Sequence, residues 1–573
     1  MPLKKPKIVV VTGGVYSGLG KGVAAASIGR ILKSKGFTVT AMKIDPYINY
    51  DAGNLNPYEH GEVFVTKDGG EIDMDFGHYE RIMDIDVGKE NNITTGKVYS
   101  SVIQDERKLK YEGKTVQLFP HISNEVKRRV RNVYENEGAD FMIIEIGGTV
   151  GDEENRIFMK ALGEMKVEGE DIVTVHVVAL PYNEAVGEQK TKPAQHSVKA
   201  LKEFWNPDFL IVRGTIDKLR KEKLSILCGV MPEKIIEDPD VKCVYELPLE
   251  FEKQNLGEKI LKEFKMEPRK TDMEDLKSYV YKNLDKKVNI AIIGKYYKYK
   301  ETEIKHEHSD AYVSVEEALK HAGVYLGADV NITRVFTGDL KKMQDPKSFL
   351  LKFDGIVVPG GYGKSGADEK IFAIKTAREN NIPFLGLCFG MQLGVIEFAR
   401  NVCGLTDADT TETNPDTKHP VIDIMPSQID ILKNENYGGT QRLGNYVANM
   451  KKSEILNWYE KTGRLEEDMK IIRKLKNENP DSMLYVEEPA VIERHRHRYE
   501  VNPKFVKILE ENGMVFAGKH IRKDKQELME FFEVPKNSCH IATQSHPEFR
   551  SRPNKPSPMY VQFIYHALNR QRN

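Results

Sequence analysis

Cysteine is scarce in this 573-residue chain: Cys228, Cys243, Cys388, Cys403 and Cys539 are widely scattered, odd in number, and form no Cys-x-x-Cys pair. That spacing excludes a disulfide framework and a zinc knuckle. An excess of one charge is missing as well, because 85 Lys and Arg face 86 Asp and Glu for a formal net charge of -1. A polycationic nucleic-acid binder is therefore set aside. Apolar runs of roughly 18 residues, long enough to cross a bilayer, are also lacking. The opening Met1-Pro2-Leu3-Lys4-Lys5-Pro6-Lys7 passes straight into Ile8-Val9-Val10-Val11 without a signal-peptide core. These absences lead us to expect a cytoplasmic protein with neither nucleic acid nor membrane as partner. Internal repeats and low-complexity tracts are not seen either.

What remains is ordinary globular composition, 40% hydrophobic and 30% charged, in a chain too long for one small core. Its first half alternates strand-like and helix-like segments. Ile8 to Thr12 is apolar and β-branched, Gly22 to Ser34 is small and amphipathic, and strand character returns at Thr38 to Met42, Phe141 to Ile146 and Ile172 to Val178. Such alternation implies a parallel sheet wrapped by helices. The composition turns charged from Lys262 to Lys287, which reads as an interdomain connection. A second α/β pattern starts at Val288 to Gly294 and continues through Gly355 to Gly361 and Ile382 to Cys388. We therefore expect an α/β protein of two doubly wound parallel-sheet domains. The charged stretch Lys451 to Pro480, with Ile455, Leu456, Leu465, Met469 and Ile472 scattered through it, reads as an exposed helical insertion.

Two constellations carry chemistry. Thr12-Gly13-Gly14-Val15-Tyr16-Ser17-Gly18-Leu19-Gly20-Lys21-Gly22 links the first strand to a helix. Glycines there let backbone N–H groups turn towards phosphate oxygens, and Lys21 supplies a mobile cation. The loop departs from G-x-x-x-x-G-K-[ST], since Val15 replaces the first glycine and Gly22 the hydroxyl residue that would hold magnesium. Acidic residues elsewhere must then serve. Asp73 and Asp75 lie in Glu71-Ile72-Asp73-Met74-Asp75, and Glu145 ends an apolar strand where a nucleotide crevice is expected. Lys43, Lys190 and Lys192 suit an anionic substrate, although surface lysines of no special role would give the same pattern.

The second constellation is Gly386-Leu387-Cys388-Phe389-Gly390, a G-x-C-x-G elbow between strand and helix. Ser545-His546-Pro547-Glu548 offers a base with a carboxylate two residues on, and Pro359-Gly360-Gly361-Tyr362-Gly363 offers unencumbered backbone N–H groups for an oxyanion. His495 and His497 share one face of a strand, but interleaved arginines and the lack of an obvious third ligand disfavour a metal there.

These strings resemble one family, the CTP synthases, glutamine-dependent enzymes that aminate UTP. The similarity runs from about Lys7 to Phe549 and is carried by the Gly13 to Gly22 loop, Lys43-Ile44-Asp45-Pro46-Tyr47-Ile48-Asn49, His60-Gly61-Glu62-Val63-Phe64-Val65, Gly77-His78-Tyr79-Glu80-Arg81, Gly147-Gly148-Thr149-Val150-Gly151-Asp152, Lys190-Thr191-Lys192-Pro193 and Arg494 to Glu500. It implies an amidoligase domain over residues 1–270, a linker over 271–287 and a class I glutamine amidotransferase domain over 288–573.

By motif, the resemblance implies ATP binding by Ser17, Gly18, Leu19, Gly20, Lys21, Gly22, Lys43 and Asp75, and Mg2+ binding by Asp75 and Glu145. UTP, or CTP as product and feedback inhibitor, would meet Ser17, Asp152, Glu153, Glu154, Lys190, Thr191, Lys192, Pro193, Ala194, Gln195 and Lys223. Cys388, His546 and Glu548 would form the triad, and Gly361 and Phe389 would donate to the oxyanion. Gly361, Phe389, Gly390, Met391, Gln392, Glu412 and Arg498 would hold L-glutamine. Pro57, His60 and Val63 would lie on the ammonia path.

The resemblance further implies a homotetramer, often filament-forming, with GTP as allosteric activator. Here the chain departs from the family: Lys364 and Ser365 stand where an Arg is usual, Gln441 replaces a Met, and the 451–480 insertion is longer than in bacterial relatives. Two alternatives stay open at this point. An amidase of the cobyric-acid type should lack the Lys190-Thr191-Lys192-Pro193 and Asp45 to Asn49 strings, and a catalytically retired filament protein should not keep the triad and Lys21.

Overall fold

A computed structural model describes residues 5–14, 16, 18–185, 187–297, 309–434, 437–478 and 485–570. The chain divides into two compact units, one of residues 1–52 and 75–281, the other of residues 53–74 and 282–573.

The first unit is built on a seven-stranded sheet, ordered Ile235–Asp238, Phe209–Arg213, Ile172–Ala179, Lys7–Gly13, Phe141–Ile146, Val39–Asp45, Asn92–Thr94. All of its pairings are parallel. A parallel sheet covered on both faces needs strands that are apolar throughout, and Phe141–Ile146 is buried at every position. The helix Lys21–Ser34 leaves the central strand at Gly13 through the glycine loop and buries its Ala24-Ala25-Ala26 face.

Five strands of the second unit, Ala328–Phe336, Lys286–Gly294, Gly355–Val358, Phe384–Leu387 and His540–Thr543, are also parallel. The sheet then continues antiparallel through Glu527–Glu533, Val515–Ile521, Arg442–Met450 and Ala490–His497. Cys388 follows the fourth strand of this order, at a carboxyl end where ligands of open α/β sheets bind.

The unit boundaries differ from the expected ones in two places. Residues 271–281 are not a free linker: the helix Glu274–Val280 belongs to the first unit, because Met273, Leu276 and Tyr279 recur at helical spacing and are buried. Tyr279 meets Tyr245 edge-on, with ring centroids 5.3 Å apart. Residues 53–74 fold with the second unit, where Val63–Val65 pairs antiparallel with Glu71–Asp73.

The 451–480 insertion is helical as expected but is not merely exposed. Helix Glu454–Lys461 buries Ile455, Leu456, Trp458 and Tyr459, and helix Arg464–Glu478 buries Met469 and Ile472. Asp468 is sunk completely, accepting from Arg550 Nη2 at 2.7 Å and from the Ile492 N–H at 3.0 Å. Residues 479 and 480 lie outside the described residues. Removing one partner of a buried ion pair typically costs about 3–5 kcal/mol. Asp468→Ala should therefore destabilise the second unit by about that amount, read as a lowered urea midpoint at unchanged slope; an unmoved midpoint would refute the role of this pair.

Candidate functional site

In the first unit the sheet register assembles a charged cluster. Lys43 and Glu145 are direct partners on adjacent strands, and Glu145 in turn stands beside Val11 of the central strand. Lys43 Nζ donates to Asp75, the first residue of helix Asp75–Met83, and lies 3.4 Å from Glu145 and 3.7 Å from Asp45. The Tyr79 hydroxyl donates to Glu145. Burial works against the Lys43 ammonium, but Asp75 and Glu145 outweigh it and hold it well above its ordinary value. Burial also raises Asp45 to about 6 and raises Glu145.

This cluster explains why the phosphate loop ends in Gly22 rather than Ser or Thr. A Cβ on Gly22 would stand 2.5 Å from Asp75 Oδ1 and 3.5 Å from Glu145 Oε2. The carboxylates occupy the space that a hydroxyl side chain would need. Lys21 opens the helix after Gly20, which caps it at φ 85°, and its Nζ donates to the Gly148 carbonyl. Burial, above all, lowers the Lys21 pKa. Leu19 is buried and Gly18 is exposed in the same loop, while Ser17 and Val15 lie outside the described residues.

The described residues expected at the UTP or CTP site fall into four groups. Asp152 caps its loop, accepting from the Thr149 N–H at 2.7 Å and hydroxyl at 2.9 Å. Glu153 and Glu154 are exposed and line a cavity of about 820 Å³ together with Ile48, Phe119 and Arg156. Lys190 pairs with Glu188, which also faces Lys223. Thr191, Lys192, Pro193, Ala194 and Gln195 begin the helix Lys192–Leu201, with Gln195 Nε2 donating to Thr191 Oγ1 at 3.0 Å. Further along, Ser197 fills the space beside Gly14 and hydrogen-bonds the buried His176 at 2.5 Å, so this helix runs against the phosphate loop.

In the second unit, Cys388 stands between strand Phe384–Leu387 and helix Phe389–Asn401 at φ 51°, ψ -104°. A side chain on Gly390 would overlap the Val358 carbonyl, and one on Gly386 would stand 2.9 Å from the Gly390 carbonyl. The tight turn therefore demands both flanking glycines. His546 lies beside Cys388 on one cavity, and its Nδ1 lies 2.7 Å from Glu548 Oε1; the thiol itself donates to the Arg496 carbonyl at 3.7 Å. Burial opposes the charged imidazole, yet Glu548 and the Cys388 sulfur overcome it and lift His546 to about 10.

Cys388, His546, Glu548 and Gly361 line a narrow cavity of about 80 Å³ with Pro57 and Val63; His60 is exposed. A second cavity of about 470 Å³, roomy enough for an amino acid, is lined by Glu412, Arg498, Tyr437, Gln441 and Tyr499. Tyr362 and Arg496 belong to both. Arg498 is fixed by Gln428 at 2.6 Å and Thr440 at 2.9 Å. Glu412 accepts from the Gly363 N–H at 2.6 Å. Phe389, Gly390, Met391 and Gln392 form the buried first turn of the helix, and Gln392 Nε2 donates to the Tyr499 carbonyl at 3.0 Å.

Several residues at these sites carried no singled-out role in the sequence. Arg496, inside the Arg494 to Glu500 string, pairs with Glu71 at 2.8 Å and donates to the Tyr362 hydroxyl at 3.0 Å. Lys295 and Lys370 flank the oxyanion turn but come from distant segments with no pattern to mark them. His495 and His497 do face each other, Nδ1 to Nε2 at 3.0 Å, yet they are buried beside Arg442 and kept neutral by burial. Among the described residues no group of three or more His, Cys, Asp or Glu is arranged to hold a metal ion.

A phosphate loop in one unit and a base-paired thiol in the other are the parts of a ligase supplied with nitrogen by a glutamine amidotransferase. Comparison with known proteins agrees with that class. The family profile described as CTP synthase N-terminus matches residues 7–266, and that of glutamine amidotransferase class-I matches residues 307–565. The CTP synthase of Methanocaldococcus jannaschii is 46% identical over 579 residues, covering 99% of each chain. That of Thermococcus gammatolerans is 44% identical over 572 residues, again covering 99% of each. A solved Trypanosoma brucei CTPS glutaminase domain with bound acivicin is 31% identical, covering 50% of this chain and 95% of that one, with a TM-score of 0.40. The chain belongs to the CTP synthase family, and it joins a synthase domain to a class I glutamine amidotransferase domain in one enzyme.

Two outcomes follow from the geometry. Gly22→Ser should force Asp75 aside and lower ATP-dependent amination roughly 100-fold, with ammonia or glutamine as nitrogen source, while glutaminase activity persists; parallel assays of both reactions check this. His546 binds its proton more tightly in the folded protein than in the unfolded chain. Its contribution to stability is therefore complete below its ordinary value of 6.5 and is lost as pH rises to about 10. Urea unfolding of wild type and His546→Gln across that window should show the wild-type advantage shrinking with pH; a constant difference would contradict the assigned ion pair.

Proposed function

We propose that the protein converts UTP, ATP and L-glutamine into CTP through two linked half-reactions. The observation that carries this reading is that the Cys388 thiol opens onto the same narrow cavity as Pro57 and Val63. At about 80 Å³ that cavity has room for a few molecules the size of ammonia. Sheltering matters, because water would turn ammonia into ammonium, which is not a nucleophile.

Glutamine enters the larger cavity, where Arg498 faces its α-carboxylate and Glu412 its α-amino group. Cys388 Sγ attacks the side-chain carbonyl carbon, and the Gly361 and Phe389 N–H groups receive the negative oxygen. Collapse breaks the C–N bond, and His546 gives the departing nitrogen its proton. Water, deprotonated by the same imidazole, then cleaves the thioester to glutamate. Glu548 holds the ring throughout.

In the first unit the uracil O4 attacks the γ-phosphorus of ATP and ADP leaves. Ammonia adds at C4 and expels phosphate. Lys21 swings from the Gly148 carbonyl to the phosphates, and Lys43 neutralises developing charge at the same place. Asp75 and Glu145 are the two carboxylates that suit Mg2+, an ion that usually takes one or two such ligands and completes its shell with phosphates and water. Bound there, the ion would add positive charge beside the phosphates. Asp152, Glu153, Glu154, Lys190, Lys192, Gln195 and Lys223 serve UTP and CTP, with Thr191, Pro193 and Ala194 shaping the turn.

In this reading the enzyme is a cytoplasmic homotetramer, inhibited by CTP and activated by GTP, with the potential to form filaments. Among the described residues no helix is long and apolar enough to cross a membrane. Exposed Ile48, Ile103, Leu118 and Phe119 around the 820 Å³ cavity suit a subunit contact.

The deciding assay supplies UTP, ATP, magnesium and glutamine, with and without GTP, and follows the nucleotide products. Cys388→Ala should lose glutamine-driven synthesis by roughly 10⁴-fold or more yet keep synthesis from added ammonium salts, whereas Lys21→Ala should lose both. Wild-type protein that leaves UTP unconverted with ammonium salts would refute the reading.

A further inference from the structure

Two lysines buried beside the thiol have no part in the chemistry above. Lys370, on helix Ala367–Glu379, is 0% exposed, and its Nζ donates to the Pro359 carbonyl at 3.0 Å. Lys295, just after strand Lys286–Gly294, is also buried and donates to the Tyr362 carbonyl. Glu412 accepts from the Gly363 N–H. The peptides gripped in this way, 359–360 and 362–363, bracket the peptide that carries the Gly361 N–H.

That grip has a physical purpose. Two successive glycines can rotate their peptide planes at little cost, so an N–H aimed at an oxyanion must be fixed from outside. Both ammonium groups lie over the Phe389 ring, Lys295 at 5.9 Å and Lys370 at 5.6 Å from its centre. A Cβ on Gly361 would stand 3.2 Å from Lys295 Cε and 3.7 Å from Lys370 Nζ. Like charges so placed are costly: burial, then Lys295, bring Lys370 down to about 7, and burial brings Lys295 to about 8. The negative group facing Lys370 is the Cys388 sulfur, and the one facing Lys295 is Glu412.

We propose that Lys370, seconded by Lys295, is a positioning residue for glutamine hydrolysis that locks the turn presenting the Gly361 N–H and sets positive potential beside Cys388. This rests on the reading of Cys388 as nucleophile and Gly361 as oxyanion donor. It adds a cation pair to a site whose chemistry otherwise needs only the triad and two backbone amides.

Lys370→Met removes donor and charge while keeping most of the stem. It should lower kcat for glutamine hydrolysis roughly 10- to 100-fold, less than loss of an oxyanion donor itself, with KM changed by less than about threefold. The pH midpoint for alkylation of Cys388 by iodoacetamide, followed by mass spectrometry of its peptide, should move upward. Besides Lys370, the thiol faces His546, Tyr362 and Arg496, with Glu548 behind His546 and Lys295 behind Lys370. All of these stay in place in the variant. CTP formation from ammonium salts, which bypasses the thiol, checks folding; Lys295→Met repeats the test from the other end of the turn if the first variant does not fold. A kcat within twofold of wild type, or a reduced kcat with an unmoved alkylation midpoint, overturns the proposal. Cys388→Ala separates the two readings: hydrolysis surviving that change overturns the thiol's role, whereas its loss beside an unaffected Lys370→Met overturns the positioning role alone.

Discussion

Cys388 is held where an L-residue is uncomfortable, at positive φ between a strand and a helix, and most of the second unit is arranged around keeping it there. Such a conformation costs about 1–3 kcal/mol and persists only where the surroundings over-determine it. Gly386 and Gly390 supply the clearance, the parallel neighbours Gly355–Val358 and His540–Thr543 clamp the preceding strand, and the helix that follows is buried along its length. The sulfur is thereby lifted from the sheet towards His546. The backbone that carries it is fixed by the sheet on one side and the helix on the other.

The two units handle buried charge in opposite ways. Lys43 sits among Asp45, Asp75 and Glu145, so its ammonium is over-compensated and remains charged at any physiological pH. Around Lys43 the carboxyl groups outnumber the ammonium, which suits a further cation. Around the oxyanion turn the balance is reversed, with Lys295 and Lys370 facing Glu412 and a sulfur. Positive charge there suits an anion formed at the turn. Each polarity matches the charge that its reaction must stabilise.

Much of this was legible in the sequence because local rules and motif spacing agree. The strands from Ile8, Phe141, Ile172 and Val288 lie where apolar runs placed them, and Cys388 of the elbow lines one cavity with His546 and Glu548. Misreadings came where composition hid a tertiary partner. Residues 271–281 look like a linker until Leu276 and Tyr279 find a core, and the 451–480 stretch looks solvated until Asp468 meets Arg550. Lys295 and Lys370 were invisible for a different reason: they converge on one turn from segments far apart in the chain, and no periodicity encodes a convergence in space. The antiparallel half of the second sheet was equally hidden, since Arg442–Met450 and Ala490–His497 have polar and charged positions where Gly355–Val358 and Phe384–Leu387 are apolar throughout.

The placement of residues 53–74 bears on how this enzyme can be divided. Glu71 neutralises Arg496, Val65 lends its carbonyl to Arg494, and Pro57, Glu62 and Val63 wall the cavity at the thiol. A fragment cut at Lys282 to isolate the hydrolytic half would forfeit all of these and leave a guanidinium without its carboxylate at the centre of the site. The seam of the molecule is thus not a single point along the polypeptide, and the gene cannot be split there without unmaking what lies on one side.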